Sequence, residues 1–447
     1  MHLKKIIAFY VVLCSVWLAA ASPMHDSESR HDHDSTSGKS KIIPITAYKA
    51  NNESLVIGNV EGGRNGEVTS EAKICLNMIV KNEASVITRC LQSVKPLIDY
   101  WVIVDTGSTD GTQKIIQEYM KDIPGELHER PWVNFAHNRN EALNFAKDKA
   151  DYVLIIDADE QLSLSNDFKL PKLDKDFYYI ETSYGGTRYK RIQLINNHMD
   201  WKWEGVLHET VVSHNAKTSD TLLNITNIAR AEGDRSKDPQ KYHKDAKVLE
   251  AALQENPNST RYVFYLAQSY KDAGESQKSL EAYQRRIAMK GWDQEVFWSM
   301  LQVALLKEKL GKDSADIIES YKQAYTYRPT RAEPLYYLAR YLRGLNDHAG
   351  SWNAASRGLI LKESNDILFV ENWVYDYGLL LEYSIAAYWT ERYTEALLAS
   401  NIMLSKASLP PNVRDCVGKN LGWINTKIAE TLAKKNIWNS DSSLAEH

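Results

Sequence analysis

An open α/β sheet followed by an all-helical repeat array is the fold class this sequence predicts, and three observations predict it. Three short apolar runs, ICLNMIV from residue 74, WVIV from residue 101 and YVLII from residue 152, are separated by segments of helical period. Each run ends in polar residues, KNEAS, DTGSTDGT and DADE respectively. Beyond Asp238 the chain is almost wholly helical in period, and FYLAQ at residue 264 is echoed by YYLAR at residue 336. That offset is two periods of roughly 36 residues, close to a helix-turn-helix repeat.

The elements follow in order. Lys4 and Lys5 precede an apolar run over residues 6–21 that closes on Ala19-Ala20-Ala21-Ser22. These are the three parts of a secretory signal, so residues 1–21 are expected to be a signal peptide cut after Ala21. An uncleaved signal anchor is the alternative, and only that form would hold the protein at a membrane. Residues 22–71 are rich in Ser, Asp, His, Gly and Asn without periodicity and read as a disordered stalk. His31-Asp32-His33-Asp34 within it reads as a solvated tail rather than a chelate. Cys14 would leave with the signal, and Cys75 and Cys90 fall at strand and helix positions that suit small buried hydrophobes. Asn52, Asn224 and Asn258 each open an N-glycosylation triplet.

Residues 72–235 alternate strand and helix. Val86, Ile87, Cys90, Leu91 and Val94 recur at helical spacing after Asn82, which is a plausible N-cap. Ile115, Ile116 and Tyr119 do so after Asp110, and Asp110 with Gln113 resembles a capping box. Ala142, Leu143 and Ala146 mark a third helix. The order β-α-β-α-α-β, with strands apolar throughout, predicts a parallel sheet covered on both faces. DFYYIET and RIQLIN look like further strands, followed by the aromatic, charged stretch DWKWEGVLHETVV. A helical solenoid then spans 236–435, with Gly274, Gly311 and Gly344 where first helices should end and Pro329 closing a second helix. Residues 436–447 are left as a tail.

The composition narrows the function. With 43% hydrophobic and 25% charged residues the chain is an ordinary globular one. A formal charge of -4 and the lack of any Lys/Arg-rich run disfavour nucleic-acid binding.

Ligands of open parallel sheets bind outside the carboxyl ends of the strands, so the three polar segments should meet around one substrate. In DTGSTDGT, Asp105 can accept from a uracil imide or ribose hydroxyl, while Gly107, Ser108 and Asp110 form a small-residue turn whose amides can face phosphate. The same segment on structural grounds alone is a strand-to-helix turn with a good cap. A calcium loop is rejected, because Gly107 stands where an oxygen ligand is required. In DADE, Asp157 and Asp159 lie two apart and would share a side if the strand persisted. Clustered carboxylates call for a divalent cation, and Mg²⁺ or Mn²⁺ suits such oxygen-rich sites. His208 would complete the metal shell, Glu209 or Glu204 would remove an acceptor proton, and Trp201 and Trp203 would offer stacking faces. Arg139 and Asn140 would approach the donor from a helix.

Together these residues resemble a family-2-type glycosyltransferase of the GT-A (Rossmann-like) fold: Lys81-Asn82-Glu83 after the first strand, the DTGSTDGT turn, the Arg139-Asn140 helix and a D-x-D motif at Asp157 to Asp159. WEGVLHE, GDRSKDP, RYVFYLAQSYKDAG and RAEPLYYLA extend the resemblance to the subgroup fused to tetratricopeptide-like repeats. It implies a hexosyltransferase-like enzyme, metal-dependent, that uses a nucleotide-diphosphate sugar, a UDP-sugar first, with inversion. On that likeness Asn82, Glu83, Asp105, Gly107, Ser108, Asp110, Arg139, Asp157 and Trp203 bind donor. Asp157, Asp159 and His208 bind metal, and Glu209 is the base. Thr106 departs from relatives that carry a second acidic residue there. The competing reading is a peptide-binding solenoid attached to an inactive nucleotide-binding domain; nucleotidyl transfer lacks its basic, Gly-rich triphosphate loop. The solenoid points to a protein or peptide acceptor, and the signal to an ER or Golgi lumen or a secreted route.

Overall fold

The computed structural model describes residues 72–442, so the signal, the stalk and the Asn52 triplet lie outside the described residues. The three apolar runs are β1 (Ile74–Val80), β2 (Tyr100–Asp105) and β4 (Tyr152–Ile155), and β1 pairs in parallel with both of the others. Their helices are α1 (Ile87–Val94) after β1, α2 (Thr112–Met120) after β2 and α3 (Phe135–Ala146) before β4. The two-residue period of a strand divides the core. Ile74, Leu76, Met78 and Val80 pack with Ile87, Leu91, Ile116 and Met120 on one face. Cys75, Val102 and Val153 pack with Leu143 and Ala146 on the other. Cys75 and Cys90 are fully buried, as their positions suggested.

A further strand, β3 (Gly125–Glu129), pairs parallel to β2 at the sheet edge. Its sequence GELHE carries no apolar run, which is why periodicity passes over it. The expectation of a wholly parallel sheet is corrected by the second half of the domain. After β5 (Gln161–Leu164) come β6 (Phe177–Tyr184) and β7 (Thr187–Asn196), an antiparallel hairpin. Gly185 and Gly186, both with positive φ (56° and 84°), make the two-residue turn that antiparallel strands need and that side chains resist. β7 lies antiparallel to β4. With β10 (Ser219–Ile228) the eight strands run in the order β3-β2-β1-β4-β7-β6-β10-β5. A separate ribbon of β8 (Lys202–Glu204) and β9 (Thr210–Val212) flanks α3.

The solenoid opens with α4 (Lys241–Glu255) and continues as antiparallel hairpins: α5 (Thr260–Asp272) with α6 (Ser276–Ala288), α7 (Asp293–Lys309) with α8 (Ser314–Tyr327), α9 (Glu333–Gly344) with α10 (His348–Leu359), and α11 (Leu379–Trp389) with α12 (Tyr393–Ser405). The two echoed motifs fall on α5 and α9, two hairpins apart as the offset required. α13 (Pro411–Ser442) runs past residue 436, so the tail expected there is helical as far as Ser442.

The two parts are fastened together twice. Between α10 and α11 the chain pairs with the free end of β7: Arg188 and Val370 exchange both backbone hydrogen bonds at 2.7 Å, and Lys190 N donates to Ile367 O at 2.9 Å. Arg331, 0% exposed, holds that segment to the solenoid. Its guanidinium donates to both oxygens of the buried Glu333, to Asp366, and to the carbonyls of Leu368 and Phe369. The second fastening is at the β8–β9 ribbon.

Candidate active site

The turns after β1 and β2 are zipped together by side chains. Asn82 N donates to Ser108 Oγ (2.8 Å), Glu83 N to Thr112 Oγ1 (2.9 Å), Ala84 N to Asp110 Oδ2 (3.0 Å), and Thr109 N to Asn82 Oδ1 (2.8 Å). Asn82, in the left-handed region at φ 55°, is therefore a cross-link between loops rather than the N-cap of α1. Asp110 holds Thr112 through its N and Oγ1, and Gln113 turns to Ser108 O, so the expected capping box is replaced by a brace within the loop. Asp105, 0% exposed, accepts from Gly107 N (2.8 Å) and Ser108 N (2.7 Å) through Oδ1. Its Oδ2 is buried without a hydrogen-bond partner among the described residues. A buried carboxylate oxygen left unpaired is costly, so a ligand donor is its natural complement.

DADE forms a tight turn, with Glu160 N donating to Asp157 O at 3.1 Å, because β4 ends at Ile155. The extended geometry that would place Asp157 and Asp159 side by side is lost, and the two carboxylates take different partners. Asp157 Oδ1 accepts from Arg139 Nη2 at 2.6 Å, and Arg191 Nη1 lies 3.6 Å from Oδ2. Desolvation works against the charge, but Arg139 and Arg191 outweigh it and hold the Asp157 carboxyl below the usual range. Arg191 also donates to the buried Glu160 at 2.5 Å.

Asp159 meets Glu83 instead. Gly233 N donates to Asp159 Oδ2 (3.2 Å) and Asp234 N to Glu83 Oε1 (3.4 Å), so one loop bridges both carboxylates. A methyl group on Gly233 would sit 3.0 Å from Glu83 Oε1 and 3.1 Å from Asp159 Oδ2, so both carboxylates lie against the same glycine. Desolvation first, and then the Asp159 charge, pushes Glu83 up to about 7. Desolvation and the Asp157 charge raise Asp159. Glu83 Oε2 is buried without a partner among the described residues. Mutually repelling, under-satisfied carboxylate oxygens are the donor set that a hard divalent cation fits. Among the described residues no three His, Cys, Asp or Glu side chains are already grouped as a metal cage.

This geometry redistributes the expected roles. Asp157 is neutralised by two arginines, and Glu83 takes its place beside Asp159. His208 turns to the solenoid: its ring stacks on Tyr265 with centroids 4.2 Å apart. Desolvation by the packed domain junction, and then the Arg235, Arg261 and Lys241 charges, holds its imidazole well below its ordinary value. Trp203 is 8% exposed, and Arg139 lies 4.9 Å from its ring centroid, so its stacking face is covered by the arginine rather than offered to a sugar. Asn140 fixes the Trp203 backbone by a reciprocal pair of bonds at 3.0 and 2.8 Å. Trp201 is edge-on to Phe177. Glu209 Oε1 accepts from Arg139 Nε at 2.5 Å, so Arg139 bridges Asp157 and Glu209. Sequence reasoning missed Arg191, although an arginine inside the strand RIQLIN was a signal, and missed the Gly233-Asp234 bridge.

Buried carboxylates thus lie at the carboxyl ends of parallel strands, beside a helix that delivers an arginine, where open α/β sheets bind their ligands. The comparisons agree. Residues 75–179 match the family model described as Glycosyl transferase family 2. The chain is 35% identical over 149 residues to a TPR repeat-containing protein of Synechococcus elongatus, covering 31% of this chain and 36% of that one. It is 32% identical over 122 residues to an uncharacterized glycosyltransferase of Rickettsia felis (27% and 38% covered). With the prophage-derived glycosyltransferase SunS of Bacillus subtilis it shares 28% identity over 190 residues (39% and 43% covered). The chain thus spans 36% to 43% of the length of these curated relatives. A tetratricopeptide repeat protein from Parabacteroides merdae is similar in structure, with TM-score 0.33 and 16% identity over 44% of this chain and 73% of that one.

Proposed function

We propose that this chain is a glycosyltransferase that takes a sugar from a nucleotide-diphosphate donor, a UDP-sugar first, and passes it with inversion to a protein or peptide acceptor. The observation that carries this reading is that Glu83 and Asp159 meet at Gly233, while Glu83 Oε2 and Asp105 Oδ2 are buried without a hydrogen-bond partner among the described residues, at the ends of β1, β4 and β2. Asp105 Oδ2 accepts from the uracil imide or a ribose hydroxyl. Gly107 N and Ser108 N are taken up by Asp105 Oδ1, so positive charge toward the diphosphate comes from Arg139, held between Asp157 and Glu209. Asp159 and Glu83 would hold a divalent cation, Mn²⁺ or Mg²⁺, which when bound supplies positive charge to the departing diphosphate. Glu209 takes the acceptor proton through Oε2, while Arg139 on Oε1 keeps its carboxylate oriented. Preorganised charge on the leaving group is the largest contribution to rate. The N-terminal signal directs the enzyme to an endomembrane lumen or outward along that route.

The test is nucleotide release from a panel of UDP- and GDP-sugars with Mn²⁺, run beside Asp159→Ala. Release from one donor, cut about a hundredfold or more in the variant, is the expected result. Wild-type turnover by the variant would overturn the cation assignment, and neither release nor nucleotide binding by the wild type would overturn the transferase reading.

A further inference from the structure

The segment between β8 and β9, Gly205-Val206-Leu207-His208-Glu209, carries the proposed base; its own domain holds it through Arg139 on Glu209 and Phe135 near Leu207, and the rest of its packing comes from outside that domain. Gly205 has φ 112° and His208 φ 50°. A left-handed backbone at a non-glycine residue costs free energy and persists only where the surroundings impose it. Here the surroundings are the first two helices of the solenoid. Leu207, 4% exposed, is buried among Ala246, Leu249 and Leu253 of α4 and Val263 and Leu266 of α5. The His208 ring lies flat on Tyr265 of α5. Arg261 of α5, itself 4.9 Å from the Tyr265 ring centroid, donates to the His208 carbonyl from Nη2 (2.6 Å) and Nε (3.2 Å). The residue after that carbonyl is Glu209, whose carboxylate reaches Arg139 and through it Asp157.

We infer that the first repeat of the solenoid is part of the catalytic apparatus, with Arg261 and Tyr265 as positioning residues that set the 205–209 loop and so aim Glu209 at the acceptor. The inference rests on the transferase reading for the role of Glu209, and the fastening itself stands independently of it. Two N–H donors on one carbonyl fix the peptide plane that leads into Glu209. The leucine and the ring stack fix the preceding turn. The repeats thereby do more than present an acceptor, because the sheet domain alone lacks the surface that its own loop is folded against.

Arg261→Ala, Arg261→Lys and Tyr265→Leu in the full chain test this, each measured for amide hydrogen exchange, melting temperature, and donor kcat and KM with Mn²⁺. Expected for Arg261→Ala is faster exchange confined to residues 205–210, at least a tenfold loss in kcat, and a donor KM within about twofold of wild type. Arg261→Lys, which keeps one donor for the carbonyl, should recover part of the kcat. Unchanged exchange at 205–210 in both Arg261→Ala and Tyr265→Leu would overturn the inference, as would a local exchange change with wild-type kcat. If Arg261→Ala does not fold, Tyr265→Leu, which removes the ring beneath His208 and Arg261 but keeps the Arg261 donors, decides by the same two readings. A wild-type chain that turns over no donor would defeat the transferase reading, and the exchange result would still decide whether the solenoid holds the loop.

Discussion

Replacing Arg331 by methionine is the sharpest probe of how the solenoid is joined to the sheet. Arg331 and Glu333 are both 0% exposed, and Arg331 donates in addition to Asp366, Leu368 O and Phe369 O. Methionine fills comparable space and supplies no donor, so Glu333 stays buried with Tyr375 Oη (2.9 Å) and Glu371 N (3.2 Å) as its remaining donors. Breaking a buried pair from one side costs about 3–5 kcal/mol, and the two surviving donors place this case near 3. For a unit of roughly 200 residues each kcal/mol lowers the melting temperature by about 2–4 °C, giving a drop of about 6–12 °C. Scanning calorimetry of Arg331→Met reads this directly. The double variant Arg331→Met with Glu333→Gln should regain much of the loss, since no charge is then stranded. A single variant that melts within about 2 °C of wild type would refute the reasoning.

Two further outcomes follow from the charges. Glu371 is pushed up to about 7 by desolvation and then by Glu333, so the stability it contributes is complete below about pH 4.5 and is lost as the pH rises through about 7. Glu371→Gln, which mimics the protonated form, should therefore match wild type near pH 4.5 and exceed it at pH 8 by about 1–3 kcal/mol in denaturant unfolding; equal stability at both pH values would contradict this. Gly233→Ala should crowd Glu83 and Asp159 by a few tenths of an ångström. Cation-dependent nucleotide binding, measured calorimetrically, should weaken by about tenfold (1.4 kcal/mol) with the melting temperature little changed, and unaltered binding would show that the carboxylates do not act together.

Much of the first half of the fold was legible because β1, β2 and β4 are buried on both faces and so read as unbroken apolar runs. β3 was not, since an edge strand needs no such run, and GELHE shows none. The antiparallel half depended on Gly185-Gly186, a turn signal that the charged residues around it obscured. Asp105 and Asp159 were legible as polar residues after apolar strands, and Arg139 as a polar residue of the helix before β4. The partition of DADE was not, because Asp157 is claimed by Arg139 from α3 and then by Arg191, more than thirty residues away on a strand of opposite direction, and their meeting is set by the tertiary fold. Glu83 was read as a donor contact, and only the loop at Gly233 shows that it shares a place with Asp159. The solenoid was legible from its repeat. Its grip on the 205–209 loop was not, since Leu207 and His208 look local in sequence and are satisfied from α4 and α5.

The backbone pairing of Arg188 with Val370 has a consequence for biosynthesis. The two partners are separated by roughly 180 residues, and at about 5–20 residues per second a ribosome needs about 10–40 s to make that stretch. Throughout that interval this end of β7 is paired on its β6 side only, and an open strand edge on the other side is a template for pairing with another chain. The nascent sheet therefore waits on the last third of its own polypeptide for its edge to be closed, and a chain cut short before Ile367 leaves that edge open for good.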